Sequence, residues 1–596
     1  MLILWLFLST FGAGFLSQIS YHSLFLFTPD FFFQQMEYPA GLLSWISAFF
    51  SQFFYIPWLG ALLLLLFSVL AGYLSGRIAE SGTFMKLFPA ACVTVATMSL
   101  GYIIYKNRTP SYAFQFAIGV NVTLLLLCGY KRSGHRLIYL LLSTVMSFPL
   151  AGSWVLLATA ASGIMKKSGE KVSSQVTKQR MDIVCLVTAL ILIAVVPLLW
   201  YYAYTTTRID NMYFAGIPLF THRASLIFCY VPYVLIALYV VALSLMSDRK
   251  SLKMHNSNDS VAKNFMTISI LGVYIALFWV KDPCFNAEMR MTTAVDRYEW
   301  EKVLKAHRWA SGFEEPTRLM VMYKNLALIK LGREGDDCFA YRDGNREQKN
   351  NDLQISLSHE AGRQLFLHYG QVNYCYRWCF ETQAENGWTA QDLLYMARSC
   401  IAADNPLTAA KYLTLLDKTL FFREWSKGQR QYLGHPELVQ KSEEYGSLVK
   451  LISNRNVVGS DHSQPEIYLN TLFTVDIPLD ASAEFYRVAL LWATCSKNMA
   501  SFWKVYNRYV ITNNPKHVPA IYQQAMLLYS SLNKSVNVSR VPFDESQRKL
   551  FSDFARFLNQ HPEGVTPETT RLSSESFGNT FYNYYYFTEH KNITMK

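Results

Sequence analysis

Hydrophobic and polar positions divide the chain into two unlike parts. Up to about residue 281, long apolar runs are separated by short polar loops; beyond it, charges occur throughout. A helix that crosses a bilayer needs about 20 mostly apolar residues. Segments 1–20, 52–74, 87–105, 111–130, 182–204, 225–246 and 264–280 meet that requirement. The run 137–165 is longer than one crossing and is interrupted at Pro149 and Gly152. Two short helices or a hairpin there return the chain to the side it came from, whereas one long kinked helix does not. Irregular backbone at membrane depth must be shielded by protein or line a wet cavity, so this break is a candidate cavity wall. The run 1–20 has no basic n-region and no clear small-residue cleavage site, and reads as a retained first span. The pattern therefore predicts an all-α, polytopic transmembrane helix bundle of about nine spans, two of them short, over residues 1–281.

Residues 282–596 show helical periodicity and little sign of strands. "DRYEWEKVLKAHRWA", "EPTRLMVMYKNLALIKLG" and "EAGRQLFLHYGQVNYCYRWCF" repeat apolar residues every three or four positions. In "LLYMARSCIAADNPLTAAKYLTLLDKT" one helix ends near Ala402, "DNP" turns, and a second helix starts near Leu407. Ala397, Ala409 and Ala410 stand where two helices approach, with Tyr395 and Tyr412 as bulky partners. This segment resembles a tetratricopeptide unit. "FYRVALLWATCSKNMASFWKVYNRYV" followed by "HVPAIYQQAMLLYSSL" repeats the logic less regularly. The expectation is a soluble α-helical-repeat (TPR-like) domain, an architecture whose concave surfaces hold peptides or partner proteins. The aromatic stretch "SFGNTFYNYYYF" (576–587) is expected to pack on this same domain.

Charge adds an orientation. Residues 1–280 hold 18 Lys and Arg against 8 Asp and Glu, and most of the whole chain's net +12 lies there. With the N-terminus in the cytoplasm and 137–165 as a hairpin, the inner loops carry fourteen Lys and Arg. The outer loops carry four: Lys106, Arg108, Arg208 and Arg223. The positive-inside rule explains the basic excess better than nucleic-acid binding, which is not expected. In a Gram-negative cell this predicts a multi-pass inner-membrane protein with its C-terminal domain in the periplasm.

Four cysteines, Cys92, Cys128, Cys185 and Cys229, lie in apolar runs and read as packing residues. Six lie in the second part, in a compartment that permits disulfides. Cys375 and Cys379 share a helical face, but no His stands at metal-ligand spacing, and no metal is assigned. The chain lacks G-x-x-x-x-G-K-[ST], H-E-x-x-H and G-x-S-x-G, so a soluble nucleotide-driven enzyme is not expected.

The remaining chemistry sits in the outer loops. Asp30 and Glu37 occupy the first, followed by Leu42, Trp45, Ile46, Phe49, Phe50 and Phe53 on one face of a helix suited to the membrane interface. A carboxylate at the outer mouth of a bundle can act as a general base, or hold a divalent cation that binds a lipid diphosphate. Later loops supply Lys106, Arg108, Arg208, Asp210, His222 and Arg223, whose cations can clamp phosphate. The structural alternative is that Asp30 caps a short helix, with "TPD" before "FFFQQ" as its start signal, that Glu37 faces headgroups, and that the cations anchor the interface.

The acidic first outer loop, the interfacial helix and the topology resemble the GT-C class of polytopic glycosyltransferases over roughly residues 1–280. That resemblance implies a polyprenyl-phosphate-linked sugar as donor and an acceptor held outside. It also implies Asp30 as the catalytic acidic residue and Arg208 or Arg223 as a donor-phosphate contact. The paired acidic motif of some members of that class is absent. "PAGLLSWISAFFSQFFYIPWLGALL", "YKNLALIKLG" and "FGNTFYNYYYF" resemble recurring segments of a membrane-protein family of Bacteroides-type bacteria with no assigned activity. The two functional expectations are a GT-C-like glycosyltransferase, and a membrane scaffold whose TPR-like domain recruits protein or glycan partners for envelope assembly or secretion.

Overall fold

The computed structural model describes residues 2–78, 83–103, 110–166, 175–204, 206–218, 229–247, 272, 281–344, 346, 361–452, 465–478, 480–534, 536–539 and 541–588. Among them the chain is all-helical: no strand forms, and Thr317 and Arg346 make an isolated bridge. It divides into two compact units. Unit 1 is Met1–Lys281 together with Leu415–Glu424; unit 2 is Asp282–Thr414 and Trp425–Lys596.

Unit 1 contains α1 (Leu2–Thr10), α2 (Ala13–His22), α3 (Pro29–Met36), α4 (Gly41–Ser51), α5 (Pro57–Ile78) and α6 (Thr83–Ile103). It continues with α7 (Tyr112–Arg132), α8 (Arg136–Ala151), α9 (Ser153–Ile164), α10 (Gln175–Tyr201), the single turn α11 (Ile209–Met212) and α12 (Val231–Met246). Among the described residues three helices are long and apolar enough to cross a membrane: α5, α7 and the part of α10 from Gln179. Four more apolar helices are shorter: Lys86–Thr97 within α6, then α8, α9 and α12. Nine full spans are therefore more than these residues provide. The expected span 1–20 breaks at Phe11–Gly12 into α1 and α2, a turn where a Cβ on Gly12 would lie 2.8 Å from the Leu8 carbonyl. The expected span 264–280 lies outside the described residues, apart from Gly272.

The long run 137–165 forms a hairpin. α8 and α9 meet at Gly152 (φ 58°, ψ −129°), a conformation that a side chain disfavours. The hydroxyls of Thr144 and Thr159, on either side of that point, are 2.7 Å apart. At the open end Arg136 joins the two feet. Its Nη2 donates to the Met165 carbonyl (3.0 Å), its Nε to the Tyr130 hydroxyl (3.0 Å), and its Nη1 pairs with Asp182 at 2.7 Å. The arginine side chain is almost fully buried, so its charge depends on these partners.

Unit 1 also contains an aromatic layer. Phe25 contacts Phe27, Phe31, Trp45 and Phe49. Tyr55 stacks on Phe421 (4.8 Å), and Tyr21 packs against Phe422 (5.6 Å). The Phe27 amide donates to the Lys418 carbonyl (2.8 Å). Residues 415–424 are thus built into unit 1 although they follow 133 residues of unit 2 in the chain.

Unit 2 is built largely from antiparallel helix pairs. Pro283–Asp296 packs on Trp300–Ser311, Val372–Asn386 on Ala390–Ala402, and Ala483–Cys495 on Met499–Asn513. Each connecting turn contains a left-handed residue: Tyr298 (φ 60°), Gly387 (φ 83°) and Lys497 (φ 56°). Thr389 and Asn498 then cap the returning helices. Ala390–Ala402 is paired with the helix before it, and not with the helix after "DNP" as the tetratricopeptide-like reading expects. Tyr395 donates to Asp296 (2.8 Å), whereas the Tyr412 hydroxyl meets that of Tyr376 (2.6 Å). The aromatic stretch folds as Phe581–Phe587 and packs inside unit 2, with Tyr584 stacked on Phe339 at 4.5 Å.

Buried charges in unit 2 satisfy one another. Arg363 pairs with Asp392 at 3.1 Å, both fully buried. Asp296 accepts from Gln364 (2.6 Å) and Gln391 (2.9 Å); burial nevertheless holds its carboxyl above the ordinary range. Arg398 pairs with Glu444 (2.7 Å) and lies over the rings of Tyr298, Trp425 and Tyr395.

Candidate functional site

Much of the candidate chemistry lies in two loop regions, the one before α4 and the one around α11. In unit 1 the backbones of those two loops converge on the apex of the α8–α9 hairpin. Because the helix breaks at Gly152, the Ser153 amide donates to the Ala215 carbonyl (2.8 Å) instead of continuing the α8 ladder. The Pro149 carbonyl, freed by the same break, accepts from the Ala40 amide (3.0 Å). Ser153 Oγ donates to the Tyr213 carbonyl (2.7 Å), and the Trp154 indole to the Gly216 carbonyl (3.2 Å). The exposed backbone of the break is therefore sealed by protein, as burial of peptide groups demands.

The approach is close enough to dictate residue type. Ala40 has φ 63° and Gly216 φ 79°, and a Cβ on Gly216 would lie 3.1 Å from that of Ala40. Below the apex, Trp154 covers Gly119 of α7, where a Cβ would lie 2.1 Å from the indole. Phe116 and Tyr233 flank the same ring. α4 packs on α7 and α8. Its buried face is Gly41, Leu43, Ser47 and Ser51, while Trp45, Phe49 and Phe50 join the aromatic layer.

Among the described residues no ion pair joins the charged side chains of one region to those of the other. Asp30 stands, exposed, in the first turn of α3, which Pro29 starts and Thr28 caps by accepting from the Phe31 amide (3.3 Å). A carboxylate there complements the helix dipole. Glu37 is the exposed C-cap of the same helix. Among the described residues no hydrogen bond or ion pair reaches either side chain. Arg208 is turned to its own loop: Nε and Nη2 donate to Asp210 at 3.2 and 3.1 Å, both side chains well exposed. Lys106, Arg108, His222 and Arg223 lie outside the described residues.

The pairing of the buried Arg136 with the half-buried Asp182 is not foreseen from the sequence. The charge pattern places Arg136 in a cytoplasmic loop, although a carboxylate at the edge of an apolar run is a signal for a buried partner.

In unit 2, Asp282, Cys284 and Glu314 bring ligand-type atoms within 4.8 Å of one another. Arg346 already pairs with both carboxylates. Asp282 also caps a helix by accepting from the Cys284 amide (2.9 Å), and burial pushes the Cys284 thiol up to about 12. A protonated thiol and two neutralised carboxylates form a poor donor set.

A family profile described as "Family of unknown function (DUF6057)" matches residues 1–588 of the chain. No curated protein and no solved structure matches it.

Proposed function

The chain belongs to that family of unknown function, and on this premise we propose that it is a membrane scaffold without catalytic activity. In this reading unit 1 anchors the protein in a bacterial inner membrane. Unit 2, on the periplasmic side, recruits partners for envelope assembly or secretion. The supporting observation is the placement of the candidate chemistry. Asp30 sits in the opening turn of a capped helix, with no ion pair to a described cation, and Arg208 is paired with Asp210. The buried charges of unit 2 are likewise engaged with one another. The excess of Lys and Arg in the inner loops supports the orientation.

A second reading is favoured by the convergence at the hairpin apex. The loops that carry Asp30 and Glu37, and Arg208 and Asp210, meet through Ala40 and Gly216. A GT-C-like glycosyltransferase would use that meeting point. Asp30 would act as the acidic residue, a divalent cation would bridge to a polyprenyl-phosphate-linked sugar, and unit 2 would hold the acceptor.

One experiment separates the two. Asp30→Asn and Arg208→Gln are introduced in the native host, membrane abundance is checked by immunoblot, and envelope glycans are profiled by mass spectrometry. The scaffold predicts unchanged glycans at normal abundance. A lost or altered glycan at normal abundance would reject the scaffold and support the enzyme.

A further inference from the structure

We propose that Cys338 and Cys495 are a disulfide site that cross-links unit 2 in the mature protein. The two sulfurs stand 4.0 Å apart although the residues are 157 positions apart in the chain. Cys338 begins the 3-10 turn Cys338–Ala340, after the short helix Glu334–Asp337, and Cys495 ends the helix Ala483–Cys495. Both positions are held from several sides. The Cys338 carbonyl accepts from Lys324 Nζ (3.1 Å), and the Cys495 carbonyl accepts from the Tyr584 hydroxyl (2.6 Å). Tyr584 in turn stacks on Phe339.

The surroundings suit thiol–disulfide exchange. Cys338 is fully buried and Cys495 is of intermediate exposure. The hydrogen bond from Cys495 favours the Cys338 thiolate; burial opposes it and the Lys324 ammonium assists it. Lys324 itself is buried, 3.8 Å from Asp343 and 4.0 Å from the Cys338 sulfur.

The oxidant is a disulfide, of a small thiol or of a dithiol protein, in the compartment that receives unit 2. One cysteine of the pair, on losing its proton, attacks one donor sulfur; the donor S–S bond breaks and the first donor thiol leaves. The other cysteine, deprotonated in turn, then attacks the protein sulfur of the mixed disulfide, forming the Cys338–Cys495 bond and expelling the second donor thiol. Two protons and two electrons leave the cysteine pair, and the donor disulfide is reduced to two thiols.

The inference uses the proposed orientation of unit 2 and is independent of whether the protein is a scaffold or an enzyme. The test uses the full-length protein in native membranes. Thiols are blocked with a light maleimide under denaturing conditions without reductant, then reduced and labelled with a heavy maleimide. Protease digestion of spheroplasts reads the side occupied by unit 2 independently. The expected result is heavy label on Cys338 and Cys495, with a linked peptide in the unreduced digest. Light label on both in a unit that the protease reaches overturns the cross-link alone; light label in a protected unit overturns the cross-link and the orientation together.

A second measurement compares melting temperatures. Cys338→Ser, Cys495→Ser and the double variant should each melt roughly 5–15 °C lower than the unreduced protein. Most of that difference should vanish when the unsubstituted protein is reduced. A loss that persists in full against the reduced protein would indicate packing and reject the cross-link.

Discussion

Two histidines of unit 2 are held as neutral rings by burial. His307 and His368 are fully buried, and among the described residues none of their ring nitrogens has a hydrogen-bond partner. Burial lowers His307 to about 3, with Lys324 contributing next, and lowers His368 well below its ordinary value, with Lys330 next. In the unfolded chain both rings take up protons near pH 6.5; in the folded unit they do not. The unfolded state therefore binds more protons as pH falls below that value. The stability present above pH 6.5 is lost on acidification, by about 1.4 kcal/mol per pH unit per ring, and for His307 the loss continues to about pH 3. Denaturant titrations between pH 7.5 and 4.5 should show this slope, and His307→Phe should remove about half of it. Unit 1 offers a steric test at the same scale. Gly119→Val places methyl groups where the Trp154 indole lies and should destabilise unit 1 by about 1–3 kcal/mol, read as a lower melting temperature in detergent. Gly119→Val with Trp154→Ala should recover part of the loss.

Among the elements, the α8–α9 hairpin is fixed at both ends, by backbone bonds at Gly152 and by Arg136 at its feet. Arg136→Met leaves Asp182 without its cation and should cost roughly 3 kcal/mol, whereas Arg136→Met with Asp182→Leu should recover most of that. Thermal unfolding of both variants in detergent checks the pair. This element was half legible. Pro149 and Gly152 announced a break, but nothing local said whether the two pieces fold back or continue, because Thr144–Thr159 and Arg136–Met165 are tertiary contacts. The helix pairs of unit 2 were legible in kind but not in partner. Small residues and "DNP" mark Ala390–Ala402 and the next helix correctly, while its actual partner, Val372–Asn386, is set by packing. The opening of α3 was legible as a local start signal in Thr28, Pro29 and Asp30, but the cap is Thr28 and not the expected Asp30, which lies in the first turn. The meeting of its loop with Gly216 was not, since nothing in either loop names the other.

For the whole molecule, the least legible feature is the return of residues 415–424 to unit 1. "LDKTLFFREW" reads as the end of one helix and the start of another, yet Phe421 and Phe422 complete the aromatic layer with Tyr55 and Tyr21. Phe421→Ser with Phe422→Ser should lower the melting temperature of unit 1 in detergent, by the equivalent of roughly 2–5 kcal/mol. Differential scanning fluorimetry, with chymotryptic resistance of the aromatic-rich α1–α5 region as a second readout, checks it.

That return has a temporal side. A ribosome that has finished residue 281 has not finished unit 1, because Leu415–Glu424 has yet to be made. At 5–20 residues per second the wait is on the order of ten seconds. During it, Tyr21, Tyr55 and Phe53 stand without their later partners. Nascent chains arrested just before residue 415 should therefore expose the aromatic layer to protease and to membrane chaperones, and chains arrested far enough beyond residue 424 for that segment to clear the ribosome should close it. The order of synthesis thus becomes a checkpoint: unit 1 is finished only after the whole first stretch of unit 2, Asp282–Thr414, has been delivered.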